Sequence, residues 1–547
     1  MFATILLALS TAILARAIWF IITRVFLRSS LDKISGPAPQ SLFSGNFLQL
    51  FHEDAWAFHD ELADRYGNIV RTTGLLGEKL LYVADPKALH HVLLKDQEIW
   101  EEHPQFLSDN YLFFGEGLLA TIGARHKRQR KLMNPVFSTA HMRNMIPIFQ
   151  ETVGRLRTTL EDLTKNGPQE VDMLHWMGRT AMELIGRSGL GFSFDSLAVD
   201  DPGHPAAACF KEILPSASKG SMMFWRAYLL PHVSKLGPAW IRRAIVDLIP
   251  SRDLHNVRDK VDTIWATSQE IYAQKKAALS SGDEAVKQQI GLGKDILSLL
   301  IRANMKTDDP LDETELLGQM STLIFAATDT TSSALSRIFY LLAQHPDVQD
   351  RIRQEIRAVK EAAGVVMSYD DYEALTYMDA VIRETLRLYP PVTLLMRKAN
   401  KDVILPFGKP ISGTDGRELS EVHVPAGSSV IVSINNANRS KELWGADALE
   451  WKPERWLAPL PESITSAHMP GIYSNLLTFL GGGRACIGFK FSQLEMKVAL
   501  AEILDAFKLA PSTKAVKWRM GNISTACVEG EPDVSQLPVV LSRADSD

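Results

Sequence analysis

A glycine-rich loop near the C-terminus constrains this chain more than any other part of its sequence. Residues 479–488 read F-L-G-G-G-R-A-C-I-G and run directly into an amphipathic helical pattern. Glycines let a backbone approach a flat group closely and turn its N–H groups toward a neighbouring sulfur atom. A helix N-terminus beside Cys486 also favours negative charge, which stabilises the thiolate form of this cysteine. The loop therefore predicts a chemically active thiolate.

The other two cysteines, Cys209 and Cys527, lie far from Cys486, and the total of three is odd. This count argues against a disulfide framework and favours a reducing compartment. Hydrophobic residues make up 46% and charged residues 22% of the chain, which suffices for a large buried core. The formal net charge of −5 at pH 7 gives no indication of nucleic-acid binding.

Helical patterns dominate the sequence. The longest begins at Asp312, a good N-cap, and ends at His345-Pro346, and it predicts a helix of about 33 residues, roughly 50 Å long. Further helices are predicted over 295–301 and 489–507, short strands over 403–405 and 428–434, and a polar surface loop over 277–294. The sequence thus predicts a mainly α fold with small β-sheets, in one large domain over residues 46–547.

The N-terminal segment, residues 1–27, is apolar apart from a few Ser and Thr and the arginines Arg16 and Arg24. Its length suits one crossing of a hydrocarbon core of roughly 30 Å. Basic residues follow the segment and none precedes it, which favours a retained transmembrane anchor over a cleaved signal, with the rest of the chain on the cytoplasmic side. Proline and glycine then predict a stiff hinge over residues 28–45.

Two polar patterns lie on predicted helices. Glu384 and Arg387 share one helix face, a spacing that by itself usually gives a solvated surface pair of little worth. Residues 326–331, A-A-T-D-T-T, place Asp329 beside Thr330 in the middle of the longest helix. An acid and an alcohol can relay protons through ordered water, although the stretch alone is equally an ordinary helix with a polar patch.

Together these patterns resemble the cytochrome P-450 family. The loop matches that family's F-x-x-G-x-R-x-C-x-G at all five fixed positions. Residues 326–331 are similar to its oxygen-binding segment, with Ala327 where glycine is commoner, and residues 126–130 occupy the place of its W-x-x-x-R, with His126 instead of tryptophan. The resemblance extends from residue 46 to the C-terminus and implies the cytochrome P-450 fold with haem b as cofactor.

The resemblance also implies roles for individual residues around the haem. Cys486 is implied as the iron ligand, with Phe479 packed beside its sulfur to limit access of water. Arg484 is implied as a partner of a haem propionate, and the same role is implied for His126, Arg130 and Arg397. Haem binding is thus assigned to basic residues from several separate segments.

A second group of residues is implied to serve catalysis or structure. Asp329 and Thr330 are implied as the catalytic pair that delivers protons to the oxygen-binding side of the haem. Glu384 and Arg387, joined by Arg455, are implied to form a buried salt-bridge network that positions the thiolate loop.

The implied activity is that of a haem-thiolate monooxygenase, which inserts one oxygen atom of O₂ into a lipophilic substrate such as a terpenoid, sterol or fatty acid. An NADPH-dependent flavoprotein reductase is implied as the electron donor, and a basic docking face for it is predicted from Arg125, Lys127, Arg128, Lys131, Lys490 and Lys497. The microsomal members of the family further imply a single-pass protein of the endoplasmic reticulum membrane with a cytoplasmic catalytic domain.

Two other functions fit part of the pattern. A haem-thiolate isomerase or dehydratase rearranges peroxides without O₂ or a reductase, and the presence of Asp329 and Thr330 counts against it. A haem-binding membrane sensor would need the ligand loop but neither a proton relay nor a docking face. The substrate lining is predicted to include Phe106 and residues 111–114, 392–396 and 522–525, stretches that are equally compatible with plain core.

Overall fold

The computed structural model describes residues 29–544 except 220–221, 283–289, 291–292 and 365, together with Thr11, Ala15 and Trp19. The described chain is mainly helical with small sheets, which confirms the predicted fold class. Its α-helices are, in order, α1 Phe47–Leu50, α2 Trp56–Glu61, α3 Pro86–His90, α4 Pro104–Phe114, α5 Gly123–Met133, α6 Thr139–Leu163, α7 Met173–Leu184, α8 Pro205–Ala217, α9 Met222–Tyr228, α10 Leu230–Val233, α11 Ala239–Leu248, α12 Arg252–Ser281, α13 Ile296–Asn304, α14 Glu313–Gln344, α15 Pro346–Ala363, α16 Tyr369–Glu373, α17 Thr376–Leu388, α18 Ile434–Asn438, α19 Lys441–Trp444, α20 Glu462–Thr465 and α21 Phe489–Ala506.

The strands form one sheet of five and three smaller sheets among the described residues. They are β1 Ile69–Thr73, β2 Lys79–Val83, β3 Trp100–Glu102, β4 Gln169–Asp172, β5 Leu394–Ala399, β6 Val403–Ser412, β7 Glu418–Val424, β8 Ser429–Ser433, β9 Phe507–Pro511, β10 Val516–Arg519, β11 Thr525–Val528 and β12 Pro538–Arg543. The five-stranded sheet has the order β1-β2-β8-β5-β3, and the smaller sheets have the orders β4-β12-β9, β6-β7 and β10-β11. In the antiparallel pair of β3 and β5, Glu102 stands opposite Arg397.

Helix α14 is the central element that the sequence predicted. A capping box fixes its start, because the Asp312 carboxylate accepts the N–H of Glu315 while the Glu315 carboxylate accepts the N–H of Asp312. It ends at Gln344, one residue before His345-Pro346, after 32 residues. Because α14 packs against α7, α12 and α21, and its buried apolar residues belong to the largest core cluster, it anchors the surrounding helices.

Two predicted segments look different in the structure. The predicted loop over 277–294 begins as helix, because the alanines and lysines around residue 277 favour α12, which continues to Ser281 and stops at Gly282 with a φ of +101°. In the predicted hinge over 28–45, Leu31 and Ile34 are buried against β6 and β7. The N–H of Thr414 also donates to the Lys33 carbonyl at 2.8 Å, so this stretch lies against the body of the protein.

The prediction about the membrane needs correction. The proposed anchor falls on residues 1–27, which lie outside the described residues apart from three isolated positions. Within the described part of the chain, no helix combines the length and the apolar character needed to cross a membrane. The long helix α14, for example, carries Asp329 and Arg337, and charged side chains are costly inside a bilayer. This finding overturns the predicted single-pass location in the endoplasmic reticulum membrane.

Candidate active site

The glycine-rich loop contains a short 3₁₀ turn, Gly482–Arg484, and runs directly into α21. Gly482 has a φ of +74°, and a Cβ atom there would collide with the carbonyl oxygen of Leu93. The N–H of Gly483 donates to the side-chain oxygen of Gln97 at 2.8 Å. The loop is therefore held close against the segment after α3, where a larger residue at position 482 would not fit.

Cys486 stands just ahead of α21 in the position that the sequence predicted for an iron ligand. Its N–H donates to the carbonyl of Phe479 at 2.8 Å. By its accessible area the residue is exposed, yet protein surrounds the thiol so closely that burial raises its pKa. The N–H of Gly488 and the charge of Arg130 lower the same pKa and favour the thiolate.

Aromatic rings surround the loop beside the sulfur. The ring of Phe479 lies 5.0 Å from that of Phe489 and 5.6 Å from that of Tyr473, in edge-to-face geometry. The arrangement fits the role implied for Phe479, since packed rings keep water away from a thiolate.

Two of the arginines implied for the propionates, Arg397 and Arg484, come from different elements and approach the same glutamate, Glu102. Arg397 of β5 donates to the Glu102 carboxylate at 2.6 Å, and Nε of Arg484 lies 3.7 Å from the other oxygen of Glu102. Arg484 also donates to the carbonyl of Thr121 at 2.8 Å. Backbone and carboxylate contacts thus fix the two guanidinium groups in place.

His126 and Arg130 lie one turn apart on α5, facing the same region. Burial, together with the charges of Arg484 and Arg130, lowers the pKa of His126 to about 3, so the imidazole is neutral. Burial also lowers the pKa of Arg130, while Cys486 raises it. Among the described residues, no carboxylate forms an ion pair with the Arg130 side chain.

This donor set fits haem b. Partly buried guanidinium groups are costly without anions, and carboxylates are their natural bidentate partners. Arg130 in particular has no protein anion within ion-pair distance in the described chain. The propionates of a haem whose iron binds Cys486 would supply the missing negative charge, and the iron would supply the positive charge that a buried thiolate needs.

The predicted catalytic pair lies in the middle of α14. The Thr330 hydroxyl donates to the carbonyl of Ala326 at 2.7 Å, which leaves its oxygen free to accept a hydrogen bond from water. Burial raises the pKa of Asp329 to about 7, and the charge of Lys211 opposes this increase. A carboxyl group with a pKa near neutrality can both hold and release a proton under physiological conditions.

An aromatic cluster covers this part of α14. Phe114 of α4 stacks on Phe325 with ring centroids 4.4 Å apart, and Phe325 lies one helical turn before Asp329. Arg226 of α9 joins the cluster from outside by a bidentate pair with Asp109, at 3.1 and 2.8 Å. The surroundings of the catalytic pair are therefore apolar, and α9 is tied to α4 above them.

The implied structural network is confirmed. Arg387 binds both oxygens of Glu384 at 2.8 Å, and both side chains are fully buried. Nε of Arg455 lies 3.3 Å from the same carboxylate, and the indole of Trp456 donates to it at 3.0 Å. Arg387 also donates to the Ala448 carbonyl at 2.7 Å. The network joins α17 to the segment that leads into the thiolate loop.

The predicted docking face is reduced by ion pairs that the sequence did not reveal. Arg125 and Arg128 bind the buried Glu315 at 2.7 and 2.6 Å, and Lys127 binds Glu98 at 2.7 Å. Lys497 is buried between Glu373 and Asp379, at 3.0 and 3.3 Å. The exposed lysines of the predicted set that lack such an ion pair among the described residues are Lys131 and Lys490.

Sequence reasoning missed two buried acids near the site. Glu102 gave no local signal, because its contact with Arg397 depends on strand register. Glu495, nine residues after Cys486 on α21, is fully buried. Burial raises its pKa well above the ordinary value, and the nearby Thr331 hydroxyl opposes this increase. Its position in an otherwise apolar helix face was the signal that would have singled it out.

Known proteins resemble the chain over nearly its whole length. The family model for cytochrome P450 matches residues 35–527. Cytochrome P450 monooxygenase 91 of Postia placenta is 50% identical over 96% of each chain, and monooxygenase 212 of the same fungus is 48% identical over 94% of each. The ganoderic acid synthetase of Ganoderma lucidum is 40% identical over 92% of this chain and 93% of its own.

Fold, thiolate loop and relatives thus define a haem-thiolate enzyme. The chain belongs to the cytochrome P450 family, whose members bind haem b through a cysteine thiolate.

Proposed function

We propose that this protein inserts one oxygen atom of O₂ into a lipophilic organic substrate and takes electrons from NADPH through a flavoprotein reductase. The observation that carries the proposal is the pairing of Asp329, with a pKa of about 7, and Thr330 within an apolar part of α14. An enzyme that activates O₂ needs protons delivered to a dry site, whereas peroxide isomerisation or haem sensing does not.

The residues around the loop would bind and orient the cofactor. Cys486 would hold the iron, while Arg130, Arg397 and Arg484 would hold the propionates, with His126 as a neutral donor. Haem bound in this way supplies the reductive activation of O₂ that the family uses. The packed rings of Phe479, Tyr473 and Phe489 would exclude water from the sulfur.

The catalytic pair would move protons. The Thr330 oxygen, whose hydrogen is donated to Ala326, would accept a hydrogen bond from an ordered water molecule and fix its position. Asp329 would exchange a proton with that water, since its pKa lies close to neutrality. The positive charge of Lys211 on α8 favours the ionised carboxylate and so helps Asp329 to release its proton.

Apolar surroundings support a lipophilic substrate. Phe325, Ala326 and Ala327 are partly accessible in the part of α14 just before the catalytic pair, and Phe114 stacks on Phe325. Such a lining recognises hydrocarbon rings or chains better than polar molecules. Because one relative is named a ganoderic acid synthetase, terpenoids take first place in the proposed class, before sterols and fatty acids.

A reductase would dock on a small basic surface. Lys131 is exposed on α5, the helix that carries Arg130, and Lys490 is exposed on α21, the helix that follows Cys486. Complementary charge increases the rate of encounter with an acidic partner more than the affinity itself. Exposed cations of this kind therefore suit transient electron transfer.

The test is turnover with isotopically labelled O₂. The holoprotein would be mixed with NADPH, a flavoprotein reductase and a panel of terpenoids, sterols and fatty acids, with the Cys486→Ser variant as the matched control. We expect a product that carries one labelled oxygen and appears together with NADPH consumption in the parent alone. An unlabelled product formed without NADPH would identify an isomerase instead, and substrate binding without any product would identify a sensor.

A further inference from the structure

A buried glutamate lies among the arginines of the propionate site. Glu102 ends β3 and stands directly opposite Arg397 in the β3–β5 pair. The side chains of Glu102 and Arg397 are only 8% and 3% exposed, and their charged groups are 2.6 Å apart. Nε of Arg484 lies 3.7 Å from the second oxygen of Glu102. Strand register thus fixes the Glu102 carboxylate beside two of the arginines that are proposed to bind the haem propionates.

Among the buried charged groups of this site, the charges balance when Glu102 is counted. The carboxylate of Glu101 also acts on Arg484, but Glu101 is only half-buried, so solvent screens its charge more. Arg130, Arg397 and Arg484 are cations, whereas His126 is neutral because burial and the neighbouring arginines lower its pKa to about 3. Haem b brings two propionates, so the arginines without Glu102 would leave one positive charge in excess. Glu102 compensates that charge inside a region where solvent screens little.

A negative charge near a haem favours the oxidised state. Reduction adds an electron, and a nearby anion makes that addition less favourable in proportion to its proximity and burial. Glu102 does not need to contact the haem for this effect, because it acts through the two arginines that it partly neutralises.

We propose that Glu102 is a positioning residue that keeps the reduction potential of the haem low by offsetting one of the two positive charges of Arg397 and Arg484. The inference rests on the proposed haem-thiolate function. It assigns to β3 a role in electron transfer, since a low potential delays reduction of the iron by the reductase.

The test is a set of charge variants measured by redox titration of the full-length holoprotein. Glu102→Gln removes one negative charge and should shift the midpoint potential upward. Arg397→Gln removes one positive charge and should shift it downward. The double variant restores the charge balance and should return close to the parent. Glu98→Gln is the control, because Glu98 is 78% exposed and paired with Lys127, and it should leave the potential unchanged.

Opposite shifts cannot come from a structural role, which would disturb both single variants in the same sense. Unchanged potentials in Glu102→Gln and Arg397→Gln would overturn the inference. Loss of haem from both single variants, with haem retained in the double variant, would also overturn the inference, because the Glu102–Arg397 pair would then be purely structural. The carbon monoxide spectrum of the reduced parent separates this failure from failure of the proposed function, because only the latter removes the thiolate band in the parent itself.

Discussion

At the scale of single residues, the chemistry depends on groups whose surroundings change their ordinary behaviour. Asp329 has an unusually high pKa because burial penalises its charge, and the same penalty raises the pKa of Cys486, the proposed iron ligand. Thr330 differs in that its hydroxyl hydrogen is already used by Ala326, so the side chain offers water an acceptor. Each of these properties leads to a measurement.

Thr330→Ala should keep haem and fold but uncouple the reaction. Without its hydroxyl, water is no longer positioned, and reduced oxygen escapes as hydrogen peroxide, so product per NADPH falls severalfold. The matched control is Thr328→Ala, because Thr328 makes the same bond to the carbonyl four residues earlier but its hydroxyl approaches Met182. Parent-like coupling in Thr330→Ala would remove Thr330 from the relay.

Asp329→Asn should alter how stability depends on pH. The pKa of Asp329 rises from 3.8 to about 7 on folding, so the folded protein retains a proton that the unfolded chain has lost. The parent therefore loses this contribution as pH rises from about 4 to 7, while the variant does not. We expect the Tm difference, variant minus parent, to grow over that range and then level off. A constant difference would mean that Asp329 titrates normally.

Contiguous motifs made part of this site predictable from the sequence. Cys486 with its glycines and Asp329 with Thr330 lie in short segments whose chemistry is local. Glu102 was not predictable, because its partner Arg397 is 295 positions away and is selected by strand register. The ion pairs that neutralise Lys127 and Lys497 were missed for the same reason, since partners from other elements decide whether a charge stays free.

At the scale of elements, the Glu384 network joins α17 to the segment before the thiolate loop. Glu384 and Arg387 are fully buried and Arg455 is only 9% exposed, so the structure depends on these partners being present. The capping box fixes the start of α14, the helix that carries the proposed catalytic pair. The β3–β5 register sets Glu102 opposite Arg397 in the proposed propionate site. These links explain why residues far apart in sequence arrive at one site.

Glu384→Gln should destabilise the fold by about 3–5 kcal/mol, because the fully buried Arg387 would lose its counter-charge, whereas Arg455 would keep its ion pair with Asp447. The expected result is a marked loss of haem-containing protein and a lower Tm. The control is Arg65→Met, which breaks the exposed Arg65–Glu61 pair, with side chains 68% and 50% exposed, and should cost about 0–1 kcal/mol. Equal stability of the two variants would contradict the structural role of the network.

At the scale of the whole molecule, part of the predicted hinge over residues 28–45 packs against the folded body. Leu31 and Ile34 are buried in the cluster that includes strands β6 and β7, and Ser35 accepts the N–H of Arg71 at 3.0 Å. Proline and glycine in this stretch indicated a hinge, but Leu31 and Ile34, which precede them, pack against the body. Sequence composition could not distinguish a hinge from a packed segment, because the surface on which this segment packs is formed by residues 403–424.

Removal of residues 1–27 should leave a folded haem protein, whereas removal of residues 1–45 should lower its stability. The longer deletion removes Leu31 and Ile34, each worth about 1.5–3 kcal/mol when fully buried. Thermal unfolding and haem content of the two truncations provide the comparison. Equal Tm values would mean that residues 28–45 contribute nothing to the body.

The central claim is that Cys486 holds a haem iron as a thiolate. The most direct measurement is the absorption spectrum of the reduced protein with carbon monoxide, for the parent and for Cys486→Ser. We expect the long-wavelength Soret band of a thiolate-bound haem in the parent, and its loss in the variant, because a serine hydroxyl lacks the charge and softness to replace the thiolate. The same band in Cys486→Ser, or its absence in a haem-loaded parent, would contradict the claim.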